Sequence, residues 1–181
     1  MALCPLLIKK LDERKAYILL SVYGFAASIF SFVIGHFWFQ SPDNMVLTVL
    51  FYASLFLIGL QFGAVTLMPM IMTADCVDYY EYETGKRMEG AAYSILTLTI
   101  KVCLALGTAV GLIFVQVSGY YDALGAGTFT TKTKDIIFFA YTALPGVLAL
   151  LSVFPMFKYD IVGEKKAQIS AALSQRRAGK E

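Results

Sequence analysis

A lysine stands near the middle of a long, otherwise uncharged segment of this 181-residue chain. Lys101 shares one helical stripe with Ser94, Thr97 and Thr108, because these positions follow the 3.6-residue period of an α-helix. A fixed amine attracts a carboxylate, and hydroxyl groups form hydrogen bonds with water and polar solutes. The stripe therefore predicts the wall of a watery cavity.

The position of Lys101 in the middle of the span is the reason to expect a function for this stripe. A charged side chain in mid-membrane costs at least about 2.5 to 3.5 kcal/mol. The alternative is a lysine that reaches back to the interface, but Lys101 lies about 16 Å along the helix from Gly90, beyond easy reach. The spans contain no acid to pair with it. Either the amine is uncharged in its apolar setting, or its carboxylates belong to a sequence absent from this chain.

A second set of reactive side chains lies just before this segment. Its acids include Asp75, Asp78, Glu81 and Glu89, and its bases are Lys86 and Arg87. Carboxylates and cations at this density can form ion pairs that hold the ends of helices together, and such pairs would break when a transporter opens. The alternative is a solvated acidic loop with weak surface pairs.

The composition defines the elements that must position these residues. Apolar residues make up 58% of the chain and charged residues only 15%, against roughly 25% charged in a soluble domain. The mean hydropathy is +0.67. These values indicate a membrane protein and exclude a disordered chain, while a net charge of +2 leaves no basic surface for nucleic acid.

Four segments are long and apolar enough to span a bilayer, which needs about 20 residues. They predict an all-α membrane protein with spans at 16–39, 45–72, 90–117 and 135–157, a loop at 73–89 and a tail at 158–181. Most lysines and arginines flank one side of these spans. Both termini, the loop and the tail are therefore expected in the cytoplasm.

Small or polar residues at helical spacing predict packing faces on the first two spans. These faces comprise Gly24, Ser28, Ser31 and Gly35 in the first span and Tyr52, Gly59, Gly63, Thr66 and Met70 in the second. Pro145 and Gly146 predict a kink in the fourth span. His36, beside Trp38, is expected to be a wet interfacial histidine rather than a ligand.

The charged segment and the helix after it resemble one family of proteins. The matching residues are Ala74, Asp75, Val77, Asp78, Tyr79, Glu81, Thr84, Gly85, Arg87, Glu89, Gly90, Tyr93 and Ser94, followed seven residues later by Lys101. They resemble the glycoside/pentoside/hexuronide cation symporters, the melibiose-permease-like branch of the major facilitator superfamily. Because that family has twelve spans, the resemblance implies that this chain matches helices nine to twelve, preceded at residues 1–8 by a stub of helix eight.

The resemblance implies roles for individual residues. Lys101 would meet acids of the amino-terminal half near the cation site, and Thr97, on the same face as Ser94, would match a sugar-site position. Thr66 stands where the melibiose-transporting members place an aromatic sugar contact, so the same sugar is not implied. An inner gate would consist of Asp75, Asp78, Glu81, Arg87 and Glu89.

By the same resemblance, the intact protein would couple entry of Na+ or H+ to a glycoside, pentoside or hexuronide across a bacterial-type cytoplasmic membrane. Its partners would be the lipid bilayer, the sugar and a missing amino-terminal half; it would bind no nucleic acid and need no cofactor beyond the coupling cation. One alternative is a small four-helix multidrug transporter, but the first span lacks the acid that such proteins use. A non-transporting membrane remnant and a four-helix subunit are further alternatives. An enzyme is a weaker one, because the sequence has no constellation of residues that would form a nucleophile or a metal site.

Overall fold

The computed structural model describes residues 12–178, apart from the side chains of 63–65 and 177. The expected stub at residues 1–8 lies outside this range. The described part is entirely helical outside its turns and connections, and its helices are α1 (Glu13–Gln40), α2 (Met45–Thr84), α3 (Glu89–Val117), α4 (Tyr120–Ala126), α5 (Thr131–Tyr141), α6 (Ala143–Leu151), α7 (Val153–Met156) and α8 (Gly163–Ala178).

Four stretches of the described residues are long and apolar enough to cross a membrane, which confirms the predicted all-α membrane fold. They are Glu13–Gln40, Met45–Thr84, Glu89–Val117 and Thr131–Met156. The last of them comprises α5, α6 and α7. Helix α1 is central: it packs against α2 and against all three helices of the fourth span.

The predicted packing face of α1 is confirmed. Gly24, Ser28, Ser31 and Gly35 are all buried. The absence of large side chains on this stripe lets neighbouring helices approach closely, which is how helices associate where there is no hydrophobic driving force between them.

Two contacts show how close this approach is. The hydroxyl groups of Ser31 and Ser54 form a hydrogen bond of 2.9 Å between α1 and α2. A β-carbon on Gly146 of α6 would stand only 2.5 Å from the β-carbon of Ser28. Glycine at position 146 is therefore required for α6 to pack on α1 as it does.

The predicted packing face of α2 is not covered by the described part of the chain and stays a prediction for a partner. Tyr52 and Met70 are 62% and 51% exposed, and a β-carbon on Gly59 would meet nothing within 4 Å. The buried side of α2 instead carries Phe51, Ser54, Gln61, Met68 and Asp75. The later members of that set recur every seven residues, close to two helical turns, so they form the stripe that meets the neighbouring helices.

The fourth span is interrupted at two positions, one of them just upstream of Pro145, where the kink was predicted. The interruptions fall at Thr142 and Ser152, each three residues before a proline, Pro145 or Pro155. Proline has no N–H to donate and its ring clashes with the preceding turn, so the helix ends upstream of it. The Ser152 hydroxyl is held by that of Tyr17 on α1 at 2.7 Å.

The predicted loop at 73–89 is mostly helix. Helix α2 continues through Thr84 and is capped by Gly85 at φ +70°, whose N–H donates to the Glu81 carbonyl at 2.8 Å. Glycine reaches this left-handed conformation without strain. The charged residues from Asp75 to Glu81 are therefore held on a rigid helix instead of a loop.

Candidate functional site

The stripe around Lys101 lies on an open groove. The groove measures about 440 Å³ and is lined by Gly90, Tyr93, Ser94, Thr97, Leu98 and Lys101. It thus includes three of the predicted site residues, Ser94, Thr97 and Lys101. All of its walls come from α3, none of whose residues is buried by the described part of the chain.

The hydroxyl groups of the groove are oriented by their own helix. The Ser94 hydroxyl donates to the carbonyl of Gly90 at 2.7 Å, and the Thr97 hydroxyl donates to that of Tyr93 at 2.8 Å. Because each proton is engaged, each oxygen presents its lone pairs to the groove. These oxygens can accept hydrogen bonds from a hydroxylated solute.

Lys101 makes no ion pair or hydrogen bond with any other residue that the structure describes. The ammonium offers three donors and a full charge. In a bilayer an uncovered charge of this kind is expensive. The Lys101 face of α3 therefore requires a polar environment, either water or another protein segment that carries acids.

Thr66, the remaining predicted substrate residue, does not line this groove. It is exposed on α2, and its hydroxyl donates to the Phe62 carbonyl at 2.8 Å. The described residues thus bring Ser94, Thr97 and Lys101 together on one helix and leave Thr66 on its neighbour.

Four of the five residues predicted for the gate meet around Arg87. Its Nη1 atom donates to Glu81 at 2.9 Å and to Asp78 at 3.4 Å, while its Nε atom donates to Glu89 at 3.0 Å. The cluster joins the end of α2 to the start of α3. The Arg87 side chain is 43% exposed and Glu81 is 17% exposed, so the cluster is open to solvent on the arginine side, where ion pairs are individually weak.

Asp75, the fifth predicted gate residue, belongs to a different network. The Lys166 ammonium of α8 donates to Asp75 at 2.7 Å and to Glu13 of α1 at 2.5 Å. The Tyr159 hydroxyl donates to the other Asp75 oxygen at 3.2 Å. One lysine thus links α1, α2 and α8.

The protonation of this network is set by burial and by the two carboxylates. Burial alone would lower the pKa of the Lys166 ammonium, but its hydrogen bonds to Asp75 and Glu13 and their charges outweigh burial and raise that pKa. Burial, followed by the charge of Asp75, also raises the pKa of the Tyr159 hydroxyl. Both groups are therefore protonated donors at neutral pH.

Sequence reasoning missed Glu13, Tyr159 and Lys166 because they lie far apart in the chain. It also missed the pairing of His36 with Asp135 at the opposite end of the bundle, where His36 Nδ1 lies 2.8 Å from Asp135 Oδ2. The His36 side chain is 42% exposed; its wet, interfacial setting stays a prediction. An acid at the start of a predicted span was the one available signal for such a pair.

The spanning helices and the polar groove define a multi-pass helical membrane protein with a hydrophilic face in mid-span. The family comparison agrees: residues 1–163 match the model of the MFS/sugar transport protein family, where MFS denotes the major facilitator superfamily. The chain belongs to this family.

Relatives in bacteria point the same way. The chain is 30% identical over 115 residues to the inner membrane symporter YicJ of Escherichia coli, covering 64% of this chain and 25% of that protein. It is 26% identical over 179 residues to a putative sulfoquinovose importer of the same organism, covering 97% of this chain and 35% of that protein. The chain is also 27% identical over 154 residues to an uncharacterized 29.9 kDa protein of Pseudescherichia vulneris, covering 85% of this chain and 54% of that protein.

The chain spans from a quarter to about half of the length of these relatives. Those whose names give an activity are transporters rather than enzymes. No solved structure matches the chain.

Proposed function

We propose that this chain forms part of a cation-coupled symporter for a sugar, glycoside or hexuronide, and that the groove on α3 faces its transport pathway. The observation that carries the proposal is the mid-span groove of Ser94, Thr97 and Lys101 on a helix with no buried residue. Membership of a sugar-transport family supports the substrate class.

The chemistry of the groove suits this task. The lone pairs of Ser94 and Thr97 would accept hydrogen bonds from sugar hydroxyls. Lys101 would act as a tethered cation that competes with Na+ or H+ for carboxylates on the helices that cover α3. Release of those carboxylates would then depend on the coupling ion, which ties ion binding to sugar binding.

The covering helices would belong to the other part of the transporter. In alternating access, two halves rock around a site at the membrane midplane, which faces each side in turn. We place the α8 end of the bundle in the cytoplasm, because most of the lysines and arginines flank the spans on this side. Cys76, which is exposed near this end, should react with an impermeant maleimide only from the cytoplasmic side.

The test is uptake of labelled glycosides and hexuronides into membrane vesicles under an imposed Na+ or proton gradient. The chain is assayed alone and together with the amino-terminal spans of a relative. We expect gradient-dependent accumulation from the pair, and loss of accumulation but not of downhill entry in Lys101→Val. No uptake under any gradient, or undiminished accumulation in Lys101→Val, would contradict the proposal; the first result favours a non-transporting remnant or subunit.

A further inference from the structure

Two ionic networks lie near the α8 end of the bundle, and they differ in burial. The side chains of Asp75 and Glu13 are only 8% and 11% exposed, although each carries a carboxylate. Arg87 and its partner Glu89 are 43% and 54% exposed. The two carboxylates of the first network are enclosed by protein, although their cation Lys166 is 37% exposed; in the second network Glu81 is 17% exposed and the other members are 43% to 54% exposed.

This difference decides how easily each network breaks. Exposed pairs exchange partners with water at little cost, about 0 to 1 kcal/mol for each pair. A buried carboxylate that loses its cation is left uncompensated in an apolar setting, which is strongly unfavourable. Lys166 is the cation shared by Asp75 and Glu13, so both carboxylates depend on it.

Further contacts fix the helix that carries Lys166. Ile169 and Leu173 of α8 are 5% and 3% exposed, and α8 packs on α2. Arg176 donates to the Tyr82 carbonyl at 2.9 Å and lies 5.5 Å from the centre of the Tyr82 ring. Helix α8 is therefore docked along the extension of α2.

We propose that Lys166 is the positioning residue of a clamp, formed with Asp75 and Glu13, that fixes α8 across the ends of α1 and α2. Asp75 is held in this clamp and takes no part in the Arg87 cluster. The consequence for gating rests on the proposed transport function: α1, α2 and α8 move as one unit, and the solvated pairs around Arg87 are the ones that rearrange. The clamp itself does not depend on transport.

The test uses a cysteine introduced by Leu173→Cys in the full chain, with Cys4, Cys76 and Cys103 replaced by serine. Position 173 is protected while α8 is docked, so its rate of reaction with a maleimide in membranes reports release of the helix. The variants are Lys166→Met, the conservative Lys166→Arg, and Lys165→Met as the matched control. Lys165 is the adjacent lysine; it contacts Asp160, which is 78% exposed, and lies 5.4 Å from the centre of the Tyr79 ring, but it has no ion pair with either enclosed carboxylate.

We expect Lys166→Met to react at least about tenfold faster, because it leaves two enclosed carboxylates without their cation. Lys165→Met, Lys166→Arg and Arg87→Gln should react within about twofold of the parent, since they keep the clamp intact. If Lys166→Met does not accumulate, the triple variant Glu13→Gln, Asp75→Asn, Lys166→Met decides, because neutralising all partners removes the uncompensated charges. We expect it to be produced and to react faster than the parent, because the clamp is absent; protection equal to that of the parent would overturn the clamp.

Several further results would overturn the clamp. One is slow labelling in Lys166→Met, another is equal acceleration in Lys165→Met, and the third is failure of Lys166→Arg to protect position 173. Acceleration by Arg87→Gln would show that the two networks are one and would also overturn the proposal. None of these outcomes depends on sugar uptake, so failure of the clamp and failure of the transport proposal are distinguishable.

Discussion

Gly24 of α1 lies directly beneath the side-chain amide of Gln61 of α2, so that a β-carbon at position 24 would stand 1.8 Å from the amide carbon. Gln61 is itself buried, 8% exposed. The bulky polar side chain of one helix thus fills the space left by the missing side chain of the other. This contact sets the distance between the first two spans.

Gly24→Ala should destabilise the protein. The added methyl group has to displace Gln61 or separate the helices, and overpacking of this kind costs about 1 to 3 kcal/mol. Gly59→Ala is the control, because a β-carbon there meets nothing within 4 Å, and alanine favours helix over glycine. Thermal unfolding in detergent measures both; equal midpoints for the two variants would contradict the close packing at Gly24.

Thr97→Val should weaken sugar binding, whereas Thr99→Val should not. Both hydroxyls donate to their own helix, Thr97 to Tyr93 and Thr99 to Ile95, each at 2.8 Å, but Thr97 alone of the two lines the groove. Losing one hydrogen bond of about 0.5 to 1.5 kcal/mol predicts a rise of about two- to tenfold in the KM for uptake. An equal rise in KM in both variants would contradict the proposal that the groove lines the transport pathway.

High pH should release α8 from its clamp. Because the pKa of the Lys166 ammonium is raised in the folded state, its contribution to stability is complete below the ordinary lysine value and is lost as pH rises through the raised value. Lys166→Arg keeps its charge to higher pH. The thermal midpoints of the parent and of Lys166→Arg should coincide at pH 8 and separate above about pH 10.5, with the arginine variant the more stable. Midpoints that fall equally with pH in both proteins would contradict the role of the Lys166 charge.

Arg87→Gln should hardly change stability. The Arg87 side chain and two of its three partners, Asp78 and Glu89, are 43% to 54% exposed, and at such positions the attraction between charges is offset by side-chain ordering and screened by salt. The thermal midpoint should shift slightly at low ionic strength and not at all in molar salt. A large shift in the thermal midpoint that persists in molar salt would contradict this prediction and show that the cluster stabilises the fold.

The sequence predicted some contacts because they follow from local spacing. The stripe from Gly24 to Gly35 is buried as expected, since small residues every three or four positions can only lie on one helical face. Ser94, Thr97 and Lys101 share a groove for the same reason. The Arg87 cluster is also local, because its partners all lie within nine residues along the chain.

Contacts between distant segments were not predictable in this way. The pairing of Asp75 with Lys166 and that of His36 with Asp135 depend on which helix ends become neighbours. The side of α2 that packs within the chain, with Phe51, Gln61 and Asp75, was not predicted, because the spacing of small residues marks a different side of the same helix. The breaks at Thr142 and Ser152 lie upstream of the prolines that cause them, because proline disrupts the preceding turn.

The sequence by itself determined that this protein crosses a membrane and carries a polar stripe around Lys101, since both properties depend on composition and on the period of one helix. Only the tertiary structure decided how its charges are partitioned. It encloses the carboxylates of Asp75 and Glu13 beneath the half-buried Lys166, and it leaves Arg87 with Asp78 and Glu89 exposed. The physical reason is burial: the energy of an ion pair depends on its exposure to water, and exposure is fixed only when distant helices pack together.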